Sequence, residues 1–516
     1  MNRKPNVLFI MTDQQRFDTI AALGNSQIFT PNLDRMVKRG AAFTSAYSPC
    51  PVCVPARYCV RTGCMPARMG YFANSVLSLP PGAPGRMEDR CGPYLARAMS
   101  RLGYRTFGIG KSHTHPTYED IGFDIHLHGE EMYESEEDRD KDAYAFWIKT
   151  RHPHFDYLEH LMGERTEMYY VPQASALPPE LGMEYWAAER AIEQIRAEDD
   201  KPYFGFVSFV GPHPPCAPPI PFNRLYDPDR MPLPVCGDLA VDHMDDQIPW
   251  MNRVIWADDI SPTWAQILKS RYYGEITYID HCVGRILDAV EQSPNGENTL
   301  ICFFADHGDH LGDHRAWQKE SFFDVSCRVP FLVSWPARFP KDCRRDEPVS
   351  LIDLFGLATA AAGAEDVRDG ISVTKLLAEG QGGREWLHGM YGKPGTPAFK
   401  AMVLSKAWKY IFLANGGREQ LFSRTDDPFE LKNCVAEQPG EVAKMRRAAV
   451  EACASSGLEV ALAGGRMKSF PFTPMERNYR GQARIYQFET SRAPKRFPEN
   501  PAGVAGVVAE FKKRGR

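Results

Sequence analysis

Short apolar runs recur along the chain, and segments with helix start and stop signals separate them. The clearest runs predict buried strands over residues 6–11, 104–110, 203–210 and 300–305. Between the first two runs, Thr30-Pro31 is typical of a helix start and Gly40 of a helix end. Strands that alternate with helices favour a parallel sheet. We therefore predict an α/β fold with a mostly parallel central sheet, flanked by helices on both faces.

Polar residues follow each of these apolar runs. In open α/β sheets, ligands bind beyond the carboxyl ends of the strands. The side chains suited to catalysis or metal binding at these positions are Asp13, Lys111, His113, His213, Asp306 and His307. Because separate segments converge by one topological rule, the pattern predicts an active site at this edge of the sheet.

Asp13-Gln14 and Asp306-His307 form two pairs of candidate metal ligands. Together they offer two carboxylates, an amide oxygen and an imidazole. This donor set suits a divalent ion such as Ca²⁺ or Mn²⁺ better than a structural zinc, and Mg²⁺ is a third option. In the alternative interpretation, Asp13 only caps a turn and His307 is a hydrogen-bonded core histidine.

The segment Cys53-Val54-Pro55-Ala56-Arg57, followed by Thr62-Gly63, predicts a short helix that begins at Cys53. Pro55 suits the first helical turn, and Gly63 is a typical helix end. The backbone N–H groups and the positive end of the helix dipole then face an anion beside Cys53. Arg57 lies one turn further on the same face. Alternatively, Cys50-Pro51-Val52-Cys53 is a zinc knuckle or a redox pair, although no second C-x-x-C stands at zinc spacing.

The Cys53 motif resembles the pattern that sulfatase-maturing systems read when they oxidise a cysteine to formylglycine. Residues 44–63 resemble the segment that leads into the nucleophile helix of the sulfatases, a branch of the alkaline phosphatase superfamily. The resemblance extends over residues 5–440. It implies an alkaline phosphatase-like fold, a formylglycine (3-oxoalanine) at Cys53 made by a formylglycine-generating enzyme, and a small-molecule sulfate ester as substrate. The hydrated aldehyde has two hydroxyls, of which one attacks sulfur and the other expels the sulfate. Arg57 would hold this diol, and an oxygen of residue 53 would complete the metal shell.

Further motifs carry the same resemblance. Gly110-Lys111-Ser112-His113 resembles the family's Gly-Lys-x-His, in which the lysine contacts sulfate and the histidine takes the proton when the intermediate collapses. Lys319 matches the second sulfate lysine and His213 the histidine beside the leaving oxygen, so that either can act as general acid. Asn74 and His115 are weaker candidates for substrate contact.

Two positions depart from the commonest sulfatase pattern, in which an Asp-Asp pair and an Asp-Asn pair bind calcium. Gln14 and His307 are more similar to the ligand set of phosphonate monoester hydrolases and choline sulfatases. We predict an arylsulfatase-like, promiscuous sulfate monoester hydrolase, with a phosphonate monoester or phosphodiester hydrolase as the alternative. A further alternative is a non-catalytic anion-binding protein in which Cys53 is never converted. Asp309 and His310 are predicted to lie at the rim of the site or in solvent.

The rest of the chain predicts a division into three parts. Residues 1–380 form the catalytic α/β domain, and the glycine-rich stretch at 380–383 links it to a smaller α+β subdomain with an antiparallel sheet, over residues 384–476. The tail over residues 477–516 either contacts a neighbouring subunit of a homo-oligomer or is a loosely ordered surface tail.

The composition is that of an ordinary soluble enzyme. The 516 residues are 43% hydrophobic and 25% charged, and the net charge of −5 offers no basic field for nucleic acid. The apolar run near the N-terminus is shorter than that of a signal peptide, and no run reaches transmembrane length. Thirteen cysteines, an odd number, fit a reducing cytoplasm better than a disulfide framework. We therefore expect a cytoplasmic enzyme without nucleic-acid or membrane partners.

Overall fold

The fold is that of a computed structural model, which describes residues 4–74, 76–79, 82–131, 136–156, 169–237, 245–255, 257 and 260–474. The tail over residues 477–516 lies outside the described residues, so its role in an oligomer stays a prediction.

Strands and helices alternate through much of the described chain. The strands are β1 (Asn6–Thr12), β2 (Ala41–Phe43), β3 (Ala46–Tyr47), β4 (Tyr71–Ala73), β5 (Val76–Leu77), β6 (Arg105–Gly110), β7 (Ile125–His128), β8 (Tyr203–Ser208), β9 (Thr299–Ala305), β10 (Phe331–Ser334), β11 (Cys343–Arg345), β12 (Val349–Ser350), β13 (Leu387–Tyr391), β14 (Lys400–Leu404), β15 (Trp408–Leu413), β16 (Arg418–Ser423), β17 (Leu462–Ala463) and β18 (Arg466–Met467). The α-helices are α1 (Pro31–Arg39), α2 (Cys53–Thr62), α3 (Pro66–Met69), α4 (Met87–Cys91), α5 (Leu95–Arg101), α6 (Glu136–Lys141), α7 (Ala143–Arg151), α8 (Met183–Arg196), α9 (Gln247–Val254), α10 (Pro262–Glu291), α11 (Asp324–Cys327), α12 (Asp353–Ala361), α13 (Val373–Glu379) and α14 (Pro439–Ser455).

The central sheet has eight strands in the order β11, β2, β10, β9, β1, β8, β6 and β7. Neighbours pair in parallel, except that β10 is antiparallel to β9 and to β2. In the middle of the sheet, Leu8 of β1 pairs with Gly205 of β8 on one side and with Ile301 of β9 on the other. The mostly parallel sheet predicted from the sequence is confirmed, and the four predicted strands correspond to β1, β6, β8 and β9.

The side chains of β1 alternate between two hydrophobic core clusters, one on each face of the sheet. Leu8 and Ile10 pack with residues of α1, α8 and α10. Val7, Phe9 and Met11 pack with residues of α2, α5, α12 and α13. All five side chains are fully buried. Because helices cover both faces of the sheet, β1 is apolar from Val7 to Met11 and does not alternate between apolar and polar side chains.

The second large sheet is antiparallel, in the order β13, β14, β15 and β16. Along β14, Ala401 and Val403 pack in the cluster that contains α14, whereas Met402 and Leu404 pack in a second cluster, with Tyr47, Val52 and apolar residues between Phe322 and Cys327. The predicted antiparallel sheet in the C-terminal part is therefore confirmed. The domain boundary predicted at residues 380–383 stays a prediction.

None of the helices in the described part of the chain combines the length and the apolar character that crossing a bilayer requires. The cytoplasmic location expected from the cysteine content stays a prediction.

Candidate active site

Four side chains predicted from the sequence meet at the carboxyl ends of the central strands. Asp13 follows β1, Asp306 and His307 follow β9, and Cys53 begins α2. One ligand atom from each residue lies within 4.8 Å of the others, and all four residues are buried. Asp13 lies beside Asp306 and His307 because β1 and β9 are neighbouring parallel strands, paired from Asn6 to Thr12 of β1.

The helix α2 begins where the sequence predicts. Val52 has extended backbone, and the helix runs to Gly63, whose φ of 65° is a left-handed conformation that suits glycine. A Cβ at Gly63 would lie 2.7 Å from the Cβ of Phe355, so the position also lacks space for a side chain. The side chain of Asn74 accepts a hydrogen bond from the N–H of Val54 at 2.9 Å. The structure thus places Asn74 as a partner of the first turn of α2, beside Cys53.

Arg57 is fully buried and joins the two carboxylates. Its Nη2 donates to Asp13 Oδ2 at 2.8 Å, and its Nε donates to Asp306 Oδ2 at 3.1 Å. The remaining nitrogen, Nη1, donates to the carbonyl of Lys111 and to the hydroxyl of Ser208. A planar guanidinium fixes such partners in one geometry. Arg57 therefore turns the other oxygen of each carboxylate, Oδ1, towards His307, whose Nε2 lies 3.7 Å from Asp13 Oδ1 and 3.6 Å from Asp306 Oδ1.

The buried charges at this site act strongly on one another. Burial alone would raise the pKa of Asp13, but Lys111 and Arg57 hold it well below its usual value. Burial and the neighbouring Asp13 carboxylate raise the pKa of Asp306. Burial lowers the pKa of His307, but Asp306 and Cys53 together outweigh this effect, so the pKa is raised above its usual value. A divalent cation would relieve the repulsion between the two carboxylates, and the oxygen and nitrogen donors present suit such an ion.

The Cys53 thiol lies among cationic groups. Its Sγ is 3.1 Å from Lys319 Nζ and 3.3 Å from His307 Nε2. Burial and Asp13 would raise the pKa of Cys53, but Lys319 and Lys111 hold it well below its usual value. Cys50, by contrast, is buried with its Sγ 3.6 Å from the carbonyl of Phe72, and burial raises its pKa well above the usual value. The zinc-knuckle interpretation is not favoured, because the metal-capable group found among the described residues contains a single cysteine. Cys50 and Cys53 are both free thiols, and the redox-pair interpretation stays a hypothesis.

Gln14 lies beside the carboxylates with its side chain held at both ends. Its Oε1 accepts a hydrogen bond from Lys319 Nζ at 2.7 Å. Its Nε2 donates to Asp309 Oδ2 at 2.6 Å and to Gln318 Oε1 at 3.3 Å. These hydrogen-bond partners fix the amide orientation, since the nitrogen faces Asp309 and the oxygen faces Lys319.

The expectation that Asp309 and His310 lie at the rim or in solvent is wrong, because both are fully buried. Asp309 also accepts a hydrogen bond from the hydroxyl of Tyr170 at 2.6 Å, and His310 Nε2 lies 2.7 Å from Ser321 Oγ. The physical reason is that the loop after β9 folds against the segment that carries Lys319. The N–H of His310 donates to the carbonyl of Gln318 at 2.8 Å.

The predicted cationic groups Lys111, His113 and His213 surround a carboxylate that the sequence analysis missed. Lys111 Nζ lies 2.6 Å from Asp13 Oδ2 and forms a short ion pair with Glu131. His113 Nδ1 is 3.4 Å from Glu131 Oε1, and His213 Nε2 is 3.9 Å from Glu131 Oε2. Glu130-Glu131 follows β7 at the same edge of the sheet, but the sequence analysis predicted no strand there and so gave no reason to place Glu131 in the site. His115 is exposed, and its carbonyl accepts hydrogen bonds from Tyr58 and Tyr71.

The C-terminal sheet holds the segment around Lys319 in place. Lys400 of β14 donates to the carbonyl of Glu320 at 2.9 Å and forms an ion pair with Asp245. The carboxylate of Glu320 accepts hydrogen bonds from Gln247 Nε2 at 2.6 Å and from the hydroxyl of Tyr391 at 2.8 Å. We call these five residues, Lys400, Asp245, Glu320, Gln247 and Tyr391, the C-terminal clamp.

Comparison with known proteins identifies two matching families. Residues 5–364 match the family described as Sulfatase, and residues 312–452 match the family described as N-sulphoglucosamine sulphohydrolase, C-terminal. The chain is 30% identical to an arylsulfatase of Clostridium perfringens over 451 residues, which cover 84% of this chain and 90% of that protein. It is 29% identical to a choline-sulfatase of Rhizobium meliloti over 466 residues, which cover 84% of this chain and 83% of that protein.

Among solved structures, the phosphonate monoester hydrolase of Agrobacterium radiobacter superposes with a TM-score of 0.70 and 23% sequence identity. The superposition covers 89% of this chain and 96% of that one. At this sequence identity, the similarity shows a shared fold only. The reaction has to be inferred from the residues of the site.

Proposed function

Since the chain belongs to the sulfatase family, we propose that it hydrolyses a sulfate monoester through a formylglycine made from Cys53. The observation that carries this proposal is the position of the Cys53 side chain. It stands at the first turn of α2, 3.1 Å from Lys319 Nζ, and belongs to the same cluster as Asp13, Asp306 and His307. An anion brought to this point meets backbone N–H groups and buried cations together.

The formylglycine would be installed by a formylglycine-generating enzyme, and its hydrate supplies one hydroxyl for attack on sulfur and a second for release of sulfate. The unmodified thiol lacks the second hydroxyl. The sequence Cys53-Val54-Pro55-Ala56-Arg57 supports this modification, as does the placement of residue 53 among groups that stabilise negative charge.

We assign the metal to Asp13, Gln14, Asp306 and His307, with an oxygen of modified residue 53. The ligand atoms of the two carboxylates and of the imidazole lie within 4.8 Å of one another. Arg57 orients both carboxylates by its ion pairs with their Oδ2 atoms. A bound Ca²⁺ or Mn²⁺, or less favourably Mg²⁺, would supply charge neutralisation for the sulfate oxygens. The neutral amide of Gln14 and the nitrogen of His307 lower the negative charge of the site, which shifts the expected preference towards Mn²⁺.

The remaining residues take separate roles around the ester. Lys111 and Lys319 are positive charges held in a buried site, where they stabilise charge on the sulfate oxygens. His213 has its Nδ1 2.7 Å from the carbonyl of Pro214, which makes Nδ1 the N–H donor and leaves Nε2 facing the site. In the imidazolium form, in which Nε2 also carries a proton, His213 donates that Nε2 proton to the departing alcohol and is left as the neutral Nδ1–H imidazole. His113, a quarter exposed, takes the proton that leaves when the sulfate is released.

The substrate class follows the relatives named as an arylsulfatase and a choline-sulfatase, so we propose a small-molecule sulfate ester. The alternative, a phosphonate monoester hydrolase, has less support. It rests on the character of Gln14 and His307 and on a structural similarity at 23% identity.

The test is steady-state turnover of 4-nitrophenyl sulfate by protein produced together with a formylglycine-generating enzyme. We expect measurable turnover by the native chain and none by Cys53→Ala, with unchanged circular dichroism and most of the metal binding retained. Turnover by Cys53→Ala at the native rate would contradict the proposed mechanism.

A further inference from the structure

Glu131 places a buried negative charge among the groups proposed to bind the ester. The residue is 7% exposed, and its carboxylate contacts the nitrogens of Lys111, His113 and His213. A site that binds anions gains affinity from positive charge, so a carboxylate in this position works against anion binding. Its presence therefore requires a physical reason.

The neighbouring Glu130 has a structural role in the same loop, and its contacts differ from those of Glu131. Its oxygens accept hydrogen bonds from the N–H groups of Ser112 and His113, both at 2.9 Å, and one lies 3.1 Å from His128 Nδ1. Glu130 thus holds the backbone that carries His113. The Glu131 carboxylate instead contacts side chains of the proposed ester site.

The groups around Glu131 favour the charged form of its carboxylate. Burial alone would raise the pKa of Glu131, but Lys111, His113 and His213 hold it below its usual value. Nearby, Arg57 is already matched by the carboxylates of Asp13 and Asp306. Glu131 therefore offsets part of the positive charge of Lys111, which would otherwise be available to a substrate of higher charge.

We propose that Glu131 is a specificity-determining residue that favours esters with one negative charge over esters with two. This inference rests on the proposed function and deepens it. A sulfate monoester carries one negative charge, and so does a phosphonate monoester. A phosphate monoester carries nearly two above pH ~7, because its second pKa is about 6. Each unit of substrate charge is repelled by the Glu131 carboxylate, so the penalty is larger for the phosphate monoester.

The experiment compares E131Q with the native chain on three substrates that share the 4-nitrophenolate leaving group. These are 4-nitrophenyl sulfate, 4-nitrophenyl phenylphosphonate and 4-nitrophenyl phosphate, assayed at about pH 8, where the phosphate monoester carries nearly two charges. We expect kcat/KM for the phosphate to rise relative to the sulfate by on the order of 10- to 100-fold, from the repulsion between charges a few ångströms apart in a partly dry site. The ratio of kcat/KM for the phosphonate to kcat/KM for the sulfate should change by less than about threefold, because Glu131 repels the single charge of each substrate equally.

Three variants separate charge from structure. E131A is a second neutral variant and should shift the phosphate-to-sulfate ratio in the same direction. E131D keeps the charge and should leave the ratio near the native value. D120N removes an equal charge from a side chain that is 81% exposed, where water screens it, and should leave the ratio unchanged. A ratio unchanged in both neutral variants, or shifted equally by D120N, would overturn the role of Glu131.

A binding measurement separates this inference from the proposed function. Benzenesulfonate and phenylphosphonate have similar shapes but carry one and nearly two charges at about pH 8. Their stabilisation of the native chain and of E131Q against thermal unfolding does not depend on turnover. If no sulfate ester is hydrolysed, the proposed function fails. The Glu131 inference would still stand if E131Q gained affinity for phenylphosphonate selectively, and it would fail if the two ligands responded alike.

Discussion

Replacing Lys400 by methionine should damage both the stability of the chain and the active site, although Lys400 lies in the C-terminal sheet. The side chain is 5% exposed, and it is the cation that faces the 4% exposed Asp245. Removing one partner of a buried ion pair leaves the other charge without compensation, at a cost of about 3–5 kcal/mol. We therefore expect Lys400→Met to lower the free energy of unfolding by about this amount.

The effect on catalysis follows from the segment that Lys400 holds. Gln318 and Glu320, on either side of Lys319, have φ values of 71° and 75°. Non-glycine residues in this region cost about 1–3 kcal/mol each and need surrounding contacts to persist. The C-terminal clamp supplies such contacts, so its loss should allow Lys319 to shift away from Cys53. A displacement of about 1 Å at a catalytic group lowers the rate by roughly 100-fold.

The assay combines urea unfolding with steady-state kinetics on 4-nitrophenyl sulfate. We expect kcat/KM of Lys400→Met to fall by roughly 100-fold, mainly through kcat. The exposed Lys393, replaced by methionine, is the matched control and should be close to native in both measurements.

The double variant Lys400→Met with Asp245→Asn removes both charges and keeps the Asp245 oxygen that accepts from the N–H of Gln247. It should be more stable than Lys400→Met alone, because no unpaired charge remains buried. The reasoning would be refuted if Lys400→Met unfolded within about 1 kcal/mol of the native chain and kept its kcat/KM, since both losses follow from the same contacts.

Two further predictions concern other buried carboxylates. Asp309→Asn removes the acceptor that orients Gln14 and Tyr170, and it should weaken metal binding by roughly 10- to 100-fold in a chelator competition, as loss of a ligand-orienting partner does. An unchanged metal affinity would contradict this role. Burial and Asp324 raise the pKa of Glu430 from 4.5 to about 7, despite the opposing effect of Lys409. Its stabilising contribution is therefore complete below pH 4.5 and is lost as the pH rises through about 7. Urea unfolding should show that, as the pH rises from 4.5 to about 7, the free energy of unfolding falls less for Glu430→Gln than for the native chain. An equal fall in the two proteins would contradict the raised pKa of Glu430.

The parts of this fold that the sequence predicted are those set by local pattern. The apolar runs ending at Met11 and Ala305 identified β1 and β9 because both faces of these strands are buried. The carboxyl-end rule then placed Asp13 beside Asp306, and the turn residues fixed α2 between Cys53 and Gly63.

The parts that escaped prediction depend on contacts between distant segments. Asp309 is buried because Gln14 and Tyr170, 295 and 139 positions away, bond to its carboxylate. Glu131 faces the site because β7 pairs with β6 and so ends beside Lys111. Neither the polarity nor the spacing of these residues distinguishes them from solvent-exposed loop carboxylates, which are far more common.

The central claim is that Cys53 becomes the formylglycine of a working sulfatase. It is tested most directly by the mass of the peptide that contains residue 53, from protein whose turnover of 4-nitrophenyl sulfate is measured in the same preparation. Conversion of the thiol to the aldehyde removes about 18 Da from the peptide. We expect the fraction of peptide that shows this loss to be proportional to the specific activity of the preparation. Full turnover by protein whose Cys53 peptide keeps the mass of an unmodified cysteine would contradict the account.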